Sequence, residues 1–303
     1  MTQLSIDPSP RALVEGAPAA SAIGWGMWRY RGEDVAAART LVETALESGI
    51  TLFDTADVYG PDNGEPFGAS EALLGRVLHE APALRDRFLL ASKGGIIPGV
   101  PYRSRNGALV EACEASLKRL GVETIDLYQI HRPDLLAHPA DIAAQVDRLR
   151  AAGKIRAIGV SNHTPAQVAA LQAHLTVPVA SIQPEFSALS AGALFDGVLD
   201  QALQTGAAVL AWSPLAGGRL TGAAADPRAV AVAKALDVIA GHNGVSRAAA
   251  AYAWIMAHPS RPIPLVGSQT PARVREAQDA LKVRMSDAEW YAVLAASLGA
   301  PLP

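Results

Sequence analysis

Cysteine is almost absent from this chain: Cys113 is the single one among 303 residues. The chain therefore forms no internal disulfide, which excludes disulfide-stapled secreted scaffolds and is typical of a reducing compartment such as the cytoplasm. Cys113 shares a helical pattern with Leu109, Val110, Leu117 and Leu120. That pattern favours a buried, small apolar side chain over a reactive thiol.

Long apolar runs are lacking as well. No run approaches the roughly 20 residues that span a bilayer. The alanine-rich stretch 248–257 is shorter, and His258 and Pro259 end it. The first residues have neither a basic start nor a continuous apolar run, so they do not resemble a signal peptide.

Charge of one sign is also scarce, with a formal net charge of −3. This excludes a strongly basic nucleic-acid surface and a polybasic membrane signal. We therefore expect a small-molecule partner, with no nucleic acid and no membrane. No metal site is expected either. The aromatic content is only 5%, and no exposed apolar helix face is evident. Both observations favour a monomer or a weak homo-oligomer.

What is present suffices for a large core, because half of the residues are hydrophobic and 18% are charged. One domain over residues 1–303 is expected, since barrels of about 250 residues commonly form single domains. Residues 1–20 are predicted to pack across one end of that domain.

The rest of the chain alternates between apolar runs and amphipathic segments joined by short, turn-rich connections. The predicted strands are 21–26, 51–54, 88–93, 125–131, 155–162, 179–183, 207–213 and 263–267. The predicted helices are 33–48, 70–80, 106–120, 141–152, one that begins at 164–165, 196–205, 227–240, 246–258, 270–281 and 286–298. This alternation predicts an α/β fold, a (β/α)8 TIM barrel with an extra C-terminal helix. A doubly wound sheet would carry a G-x-G-x-x-G turn after an early strand, and none occurs.

Titratable side chains follow three consecutive predicted strands. Asp54 ends one strand and Tyr59 lies just beyond it, while Lys93 and His131 end the next two. In a parallel barrel these positions meet at the C-terminal face, where chemistry is performed. Each residue alone has a structural interpretation, such as helix capping for Asp54 or a solvated charge for Lys93. Four together favour a proton-transfer site.

Extended motifs surround these residues, in order along nearly the whole chain. They are FDTADVYGPDNGEPFGASEALLGRVL (53–78), ASKGG (91–95), SLKRLGVETIDLYQIHRPD (116–134), GKIRAIGVSNHTPAQV (153–168), IQPEFS (182–187), WSPLAGGRL (212–220) and VGSQTPARVREA (266–277). Together they resemble the aldo-keto reductases, which are NAD(P)H-dependent carbonyl reductases on a (β/α)8 barrel.

The resemblance implies a catalytic tetrad of Asp54, Tyr59, Lys93 and His131. Tyr59 would donate the proton to the carbonyl oxygen as hydride arrives. A free phenol has a pKa of about 10, and the Lys93 ammonium is expected to lower it. Asp54 would hold Lys93 charged and in place, and His131 would orient the substrate oxygen.

The resemblance also implies a dinucleotide site along the later strands. Its residues would be Gly26, Met27, Asp54, Ser161, Asn162, Gln183, Trp212, Ser213, Leu215, Gly217, Arg219, Gly267, Ser268, Thr270, Arg273 and Glu276. Ser161, Asn162 and Gln183 would bind the nicotinamide carboxamide. Trp212 would stack on the nicotinamide ring, and its alternative interpretation is a core aromatic.

The pyrophosphate and the adenosine end would be bound further along the chain. Residues 213–219 match the loop over the pyrophosphate, although Arg219 could also be a plain solvated charge. Ser268 and Arg273 would contact the adenosine 2′-phosphate, at a predicted helix start that favours an anion. We therefore expect NADPH (NADP+) over NADH. NADH use stays open, because Gly267 replaces a lysine of many relatives and Ala277 replaces an adenine-binding asparagine.

The substrate is expected to meet Trp28, Tyr59 and His131. Trp25 and Tyr102 could extend Trp28 into an aromatic wall for an aldehyde or a sugar ring. Arg132 could meet an acidic substrate, and its alternative is an ion pair or a helix cap.

Three functions remain open from sequence. The first is an NADP(H)-dependent oxidoreductase that interconverts a carbonyl and an alcohol, in either direction. The second is a non-catalytic NADPH-binding sensor subunit, although no tetrad residue is lost. The third is a lyase with Lys93 as Schiff-base nucleophile, against which Asp54 argues because a carboxylate keeps the amine protonated.

Overall fold

The apolar runs of the chain become short buried strands, and the amphipathic segments become helices around them. The computed structural model describes residues 3–222 and 226–302. The strands are β1 (Gln3–Ser5), β2 (Gly24–Gly26), β3 (Leu52–Asp54), β4 (Leu89–Gly94), β5 (Ile96–Ile97), β6 (Val100–Tyr102), β7 (Ile125–Ile130), β8 (Ile155–Ser161), β9 (Val179–Gln183), β10 (Ala208–Ala211), β11 (Ile263–Val266) and β12 (Arg284–Ser286). The α-helices are α1 (Val35–Glu47), α2 (Ala69–Glu80), α3 (Ala108–Leu120), α4 (Pro139–Ala151), α5 (Pro165–Gln172), α6 (Val198–Thr205), α7 (Pro227–Asn243), α8 (Arg247–Met256), α9 (Pro271–Glu276) and α10 (Asp287–Leu298).

Eight strands close into a parallel barrel in the order β10-β11-β2-β3-β4-β7-β8-β9, and β9 pairs with β10 to complete the ring. The predicted (β/α)8 barrel is therefore confirmed. Two barrel strands are clearly shorter than predicted: the first begins at Gly24 and the seventh covers only Ala208–Ala211.

The barrel interior is filled at its N-terminal end by apolar side chains. Leu52 and Leu89, the first residues of β3 and β4, pack there with Ile263 of β11. Val14 and Ala20 of the N-terminal stretch join the same cluster. The predicted packing of this stretch across one barrel end is thus confirmed for these two residues. Asp54, Lys93 and His131 lie at the opposite, C-terminal end of the strands.

Several local features differ from the sequence expectations. β1 pairs antiparallel with the distant β12, and β5 and β6 form a hairpin after β4. Neither pair was predicted, because such short, exposed strands lack a periodic apolar pattern. The helix predicted over 270–281 is wrong in length: α9 ends at Glu276, and the chain continues as a 3-10 helix over Ala277–Lys282.

The extra C-terminal helix α10 is present and packs on α7 and α8. Ser286 and Glu289 form a capping box at its start. The rings of Trp254 and Trp290 stack at 5.0 Å, and each indole Nε1 donates to the backbone oxygen of the other residue at 3.0 Å. These paired hydrogen bonds satisfy two buried donors at once.

The lone thiol, Cys113 on α3, is fully buried, as predicted. Burial raises its pKa to about 12, so it is a thiol rather than a thiolate at neutral pH. Across the two described ranges, no helix combines the length and the apolar character needed to cross a membrane.

Candidate active site

The four predicted catalytic side chains meet at the C-terminal face of the barrel. Asp54 is the last residue of β3, Lys93 lies in β4, and His131 follows β7. Lys93 is completely buried, and its Nζ lies 2.6 Å from Asp54 Oδ2. The same ammonium donates to the backbone oxygen of Thr55 at 2.8 Å. Two fixed acceptors therefore set the position of the charge.

Tyr59 lies against both Lys93 and His131. The Lys93 Nζ is 4.8 Å from the centroid of the Tyr59 ring. The rings of Tyr59 and His131 meet edge to face at 5.9 Å. The structure thus brings together all four residues that the sequence placed at consecutive strand ends.

The second carboxylate oxygen of Asp54 is held by two amides. Gln129 Nε2 and Gln183 Nε2 donate to Asp54 Oδ1 at 2.9 and 3.0 Å, and Gln183 also donates to Gln129 Oε1 at 3.1 Å. Gln129 was not predicted as a site residue, although it lies two residues before His131. The available signal was a polar residue at an inward-facing position of a buried strand.

Lys93 is charged despite its burial. Burial acts to lower the pKa of Lys93, but Asp54 and Tyr59 outweigh it and the pKa is raised. A protonated amine is a poor nucleophile, so this arrangement argues against a Schiff-base lyase.

Lys93 acts to lower the pKa of Tyr59, as expected, but the net pKa of the phenol is raised rather than lowered. Burial raises the pKa of the Tyr59 phenol, and the opposing effect of Lys93 is the smaller one. Asp54 also acts to raise it, because the carboxylate disfavours a phenolate nearby. Tyr59 is therefore a protonated phenol at neutral pH.

His131 is neutral in this setting. Burial lowers the pKa of His131 well below its usual value, and the positive charges of Lys93 and Arg132 act in the same direction. Among the described residues its buried Nδ1 has no hydrogen-bond partner. A neutral imidazole can still donate a hydrogen bond from one ring nitrogen to an oxygen in the site.

The loop that carries Tyr59 is fixed by a close backbone approach. A Cβ atom on Gly60 would lie only 1.9 Å from the backbone oxygen of Pro66. The backbone amide of Asp57 donates to the oxygen of Lys93 at 3.0 Å, which ties the loop to β4. Gly60 therefore allows the chain to fold back directly after Tyr59.

A second group of ionisable residues lies behind this loop. Glu71 is fully buried and accepts from Ser92 Oγ at 2.5 Å and from Arg119 Nε at 2.7 Å. Asp57 is also buried, and its Oδ1 has no partner in the described part of the chain. Burial and the negative charge of Glu71 raise the pKa of Asp57 to about 8.

The residues expected at the nicotinamide form one connected network. Ser161 Oγ donates to the backbone oxygen of Gln183 at 3.0 Å, and Asn162 Nδ2 donates to Ser161 Oγ at 2.7 Å. Trp212 Nε1 donates to Asn162 Oδ1 at 2.9 Å. The Arg132 guanidinium lies 5.8 Å above the Trp212 ring. Trp212 is half-buried, so a planar ligand can still reach it.

The expected pyrophosphate loop has an unusual backbone. Ser213 and Ala216 adopt positive φ values of 53° and 52°, and Asn162 adopts 57°. Such conformations are costly for residues other than glycine and cluster at functional sites. Ser213 Oγ accepts from the amide of Gly217 at 2.9 Å, and Arg219 Nε donates to the oxygen of Ala216 at 3.0 Å.

The expected adenosine segment follows β11. The backbone oxygen of Ser268 accepts from Trp25 Nε1 at 3.0 Å, and Ser268 Oγ accepts from the amide of Thr270 at 3.2 Å. Arg273 is exposed and forms no ion pair within residues 3–222 and 226–302. The amide atoms of Gln269 are buried there without partners. The helix that begins beside these residues, α9, has six residues.

Trp25 does not belong to the predicted aromatic wall, whereas Trp28 and Tyr102 are accessible. Trp28 and Tyr102 are partly exposed, at 38% and 41%. Trp25 is completely buried and packs edge to face on Tyr30 and Phe53, at 5.4 and 5.1 Å. It points out of the barrel towards the helices, because alternate residues of a strand face opposite sides.

Known proteins of similar sequence and structure belong to one enzyme family. A family model described as "Aldo/keto reductase family" matches residues 22–297. The chain is 49% identical, over all of both chains, to a protein named 6-dehydroglucose reductase from Novosphingobium aromaticivorans. A protein of the same name from Agrobacterium fabrum is 34% identical over 92% of this chain and 95% of its own. The solved structure of a glycerol dehydrogenase from Gluconobacter oxydans is similar, with a TM-score of 0.83 and 29% identity over 98% of each chain.

Proposed function

The chain belongs to the aldo/keto reductase family, and we propose that it is an NADPH-dependent reductase that converts the aldehyde group of a sugar to an alcohol. The observation that carries the chemistry is the buried Lys93–Asp54 ion pair beside Tyr59 and His131. The sugar substrate is supported by the full-length similarity to a 6-dehydroglucose reductase.

The donor set of the barrel mouth fits a dinucleotide. Ser161, Asn162 and Gln183 offer amide and hydroxyl groups beside an accessible Trp212. At the other end, the buried amide of Gln269 lacks a partner in the described residues. Arg273 lies in the same segment and is exposed. We propose that these groups bind the two ends of NADPH, with Ser213, Leu215, Gly217 and Arg219 along the pyrophosphate and Gly26, Met27, Gly267, Ser268, Thr270 and Glu276 along the rest.

When bound, the dinucleotide supplies a hydride to the carbonyl carbon. Tyr59 donates its phenolic proton to the carbonyl oxygen. Burial keeps that phenol protonated before the reaction, and the nearby Lys93 ammonium stabilises the phenolate that remains. Neutral His131 hydrogen-bonds the same oxygen and orients it, while Asp54 holds Lys93. Trp28 contacts the part of the substrate that does not react.

The test is a comparison of the wild type with Tyr59→Phe. With 6-dehydroglucose and NADPH, the wild type should consume NADPH and form glucose. Tyr59→Phe should lose turnover by roughly a thousandfold or more while NADPH still binds, because only the proton donor is removed. Retained turnover would contradict the role of Tyr59. NADPH binding without turnover on any aldehyde would instead support a sensor subunit.

The reverse reaction is a second candidate, favoured by the likeness to a glycerol dehydrogenase. The same residues would then act with Tyr59 as phenolate base. Oxidation requires loss of the phenolic proton, which burial disfavours, so its rate should rise with pH. Rates measured in both directions across pH distinguish the two candidates.

A further inference from the structure

Arg29 lies beside Gly267, the position at which the family resemblance implies a lysine. A Cβ atom on Gly267 would have a single neighbour within 4 Å, Arg29 Nη1 at 3.7 Å. The two residues belong to different loops, one after β2 and one after β11. A guanidinium therefore occupies the space next to a position that has no side chain of its own.

The two loops are held together by three contacts. Leu265 and Val266 of β11 pair with Gly24 and Trp25 of β2. Trp25 Nε1 donates to the backbone oxygen of Ser268. These contacts fix the loop that carries Arg29 against the segment that carries Ser268.

The guanidinium is also held from its own loop. Its central carbon lies 4.7 Å from the ring centroid of Trp28, in a cation–π contact. Trp28 in turn donates from Nε1 to Asp62 at 3.3 Å. The ring therefore orients Arg29 without neutralising its charge.

Arg29 and Arg273 are both exposed and both lack a carboxylate partner within the described ranges. Two unpaired guanidinium groups on neighbouring segments fit a dianionic phosphate, which accepts several charge-assisted hydrogen bonds.

We propose that Arg29 binds the adenosine 2′-phosphate of NADPH and replaces the cation that is missing at Gly267. The inference rests on the proposed function, since it assigns one contact within the same dinucleotide site. Gly267 leaves the segment after β11 without the lysine that the resemblance implies, and Arg29 supplies that charge from the loop after β2. NADPH preference over NADH then depends on Arg29 together with Arg273.

The test is a fluorescence titration of Arg29→Ala with NADPH and with NADH. We expect NADPH binding to weaken by roughly ten- to a hundredfold, and NADH binding to change by less than about twofold. Arg31→Ala is the matched control: Arg31 lies on the same loop, is exposed, and donates only to the backbone oxygen of Asn63. It should leave both affinities unchanged. Arg29→Met, which keeps the apolar stem on Trp28, should reproduce the loss.

A rescue variant sharpens the test. Gly267 has no positive φ and space for a side chain, so Gly267→Lys is compatible with the backbone. Added to Arg29→Ala, it should restore most of the NADPH affinity. Unchanged NADPH affinity in Arg29→Ala, or equal weakening of NADPH and NADH, would overturn the inference, the second result pointing to a pyrophosphate contact. A wild type that binds neither dinucleotide would overturn the proposed function as well.

Discussion

Gln129 Nε2 donates a hydrogen bond to Asp54 Oδ1, while Lys93 occupies the other oxygen of the same carboxylate. Gln183 donates to the same Oδ1, but it is also proposed to bind the nicotinamide carboxamide. If Gln183 turns towards the cofactor, Gln129 becomes the remaining side-chain donor to Oδ1. Gln129 is therefore a positioning residue for the ion pair.

Gln129→Leu should lower kcat by roughly tenfold, because a buried carboxylate that loses a hydrogen bond of about 1–2 kcal/mol can rotate away from Lys93. NADPH affinity should change little, since Gln129 is not expected to touch the cofactor. The measurement is kcat and KM across pH, together with an NADPH titration. The control is Leu127→Val, which alters apolar packing on the same strand. If it lowers kcat equally, the effect of Gln129→Leu is merely structural.

Gly60→Ala should damage both stability and activity. The new methyl carbon would lie 1.9 Å from the backbone oxygen of Pro66, so the loop that carries Tyr59 must shift. We expect a destabilisation of about 2–4 kcal/mol and a large loss of kcat. Gly241→Ala on α7 is the control, because nothing lies within 4 Å of its Cβ position. That change should stabilise by about 0.5–1 kcal/mol. Urea unfolding of both variants measures the difference.

Asp57 should make the protein less stable as pH rises. Its pKa is raised from 3.8 to about 8 in the folded protein by burial and Glu71, against the opposing effects of Arg119 and Lys93. Folding therefore takes up a proton between these values. The resulting stability is complete at pH values below the unfolded pKa and is lost as pH rises towards about 8.

Asp57→Asn removes this titration and keeps the shape of the side chain. Relative to the variant, the wild type should lose up to about 1.4 kcal/mol per pH unit through this range. The check is the difference in unfolding free energy between the two proteins, measured from about pH 5 to about pH 8. A difference that stays constant with pH would show that Asp57 is ionised in the folded state.

His131 should not limit activity in mildly acidic solution. Burial and its cationic neighbours keep the pKa of His131 well below 6.5, so the imidazole stays neutral as pH falls. The profile of kcat/KM for carbonyl reduction should show no acidic limb of a histidine between about pH 8 and about pH 6. An acidic limb near the usual pKa of histidine that disappears in His131→Asn would contradict this.

Local patterns in the sequence identified the barrel strands and the four residues at their ends. Apolar runs that end in Asp54, Lys93 and His131 place polar groups at one barrel face, whichever helices surround them. Trp25 was wrongly included in the aromatic wall because it lies between two glycines, Gly24 and Gly26, which give no apolar alternation to show which face points inward. The register settles it, since Gly26 pairs with Asp54 and Trp25 with Phe53.

Contacts between distant parts of the chain decided the partners and the charge states of these residues. Gln129 and Asp54 are 75 residues apart, and Arg29 and Gly267 lie near opposite ends of the chain. The direction of the Tyr59 pKa shift likewise depends on burial, which the chain acquires only when the barrel closes. The sequence alone determined which chemical groups reach the barrel mouth, because strand periodicity is local. Their partners and their charge states depend on distances and desolvation, and only the tertiary structure decided those.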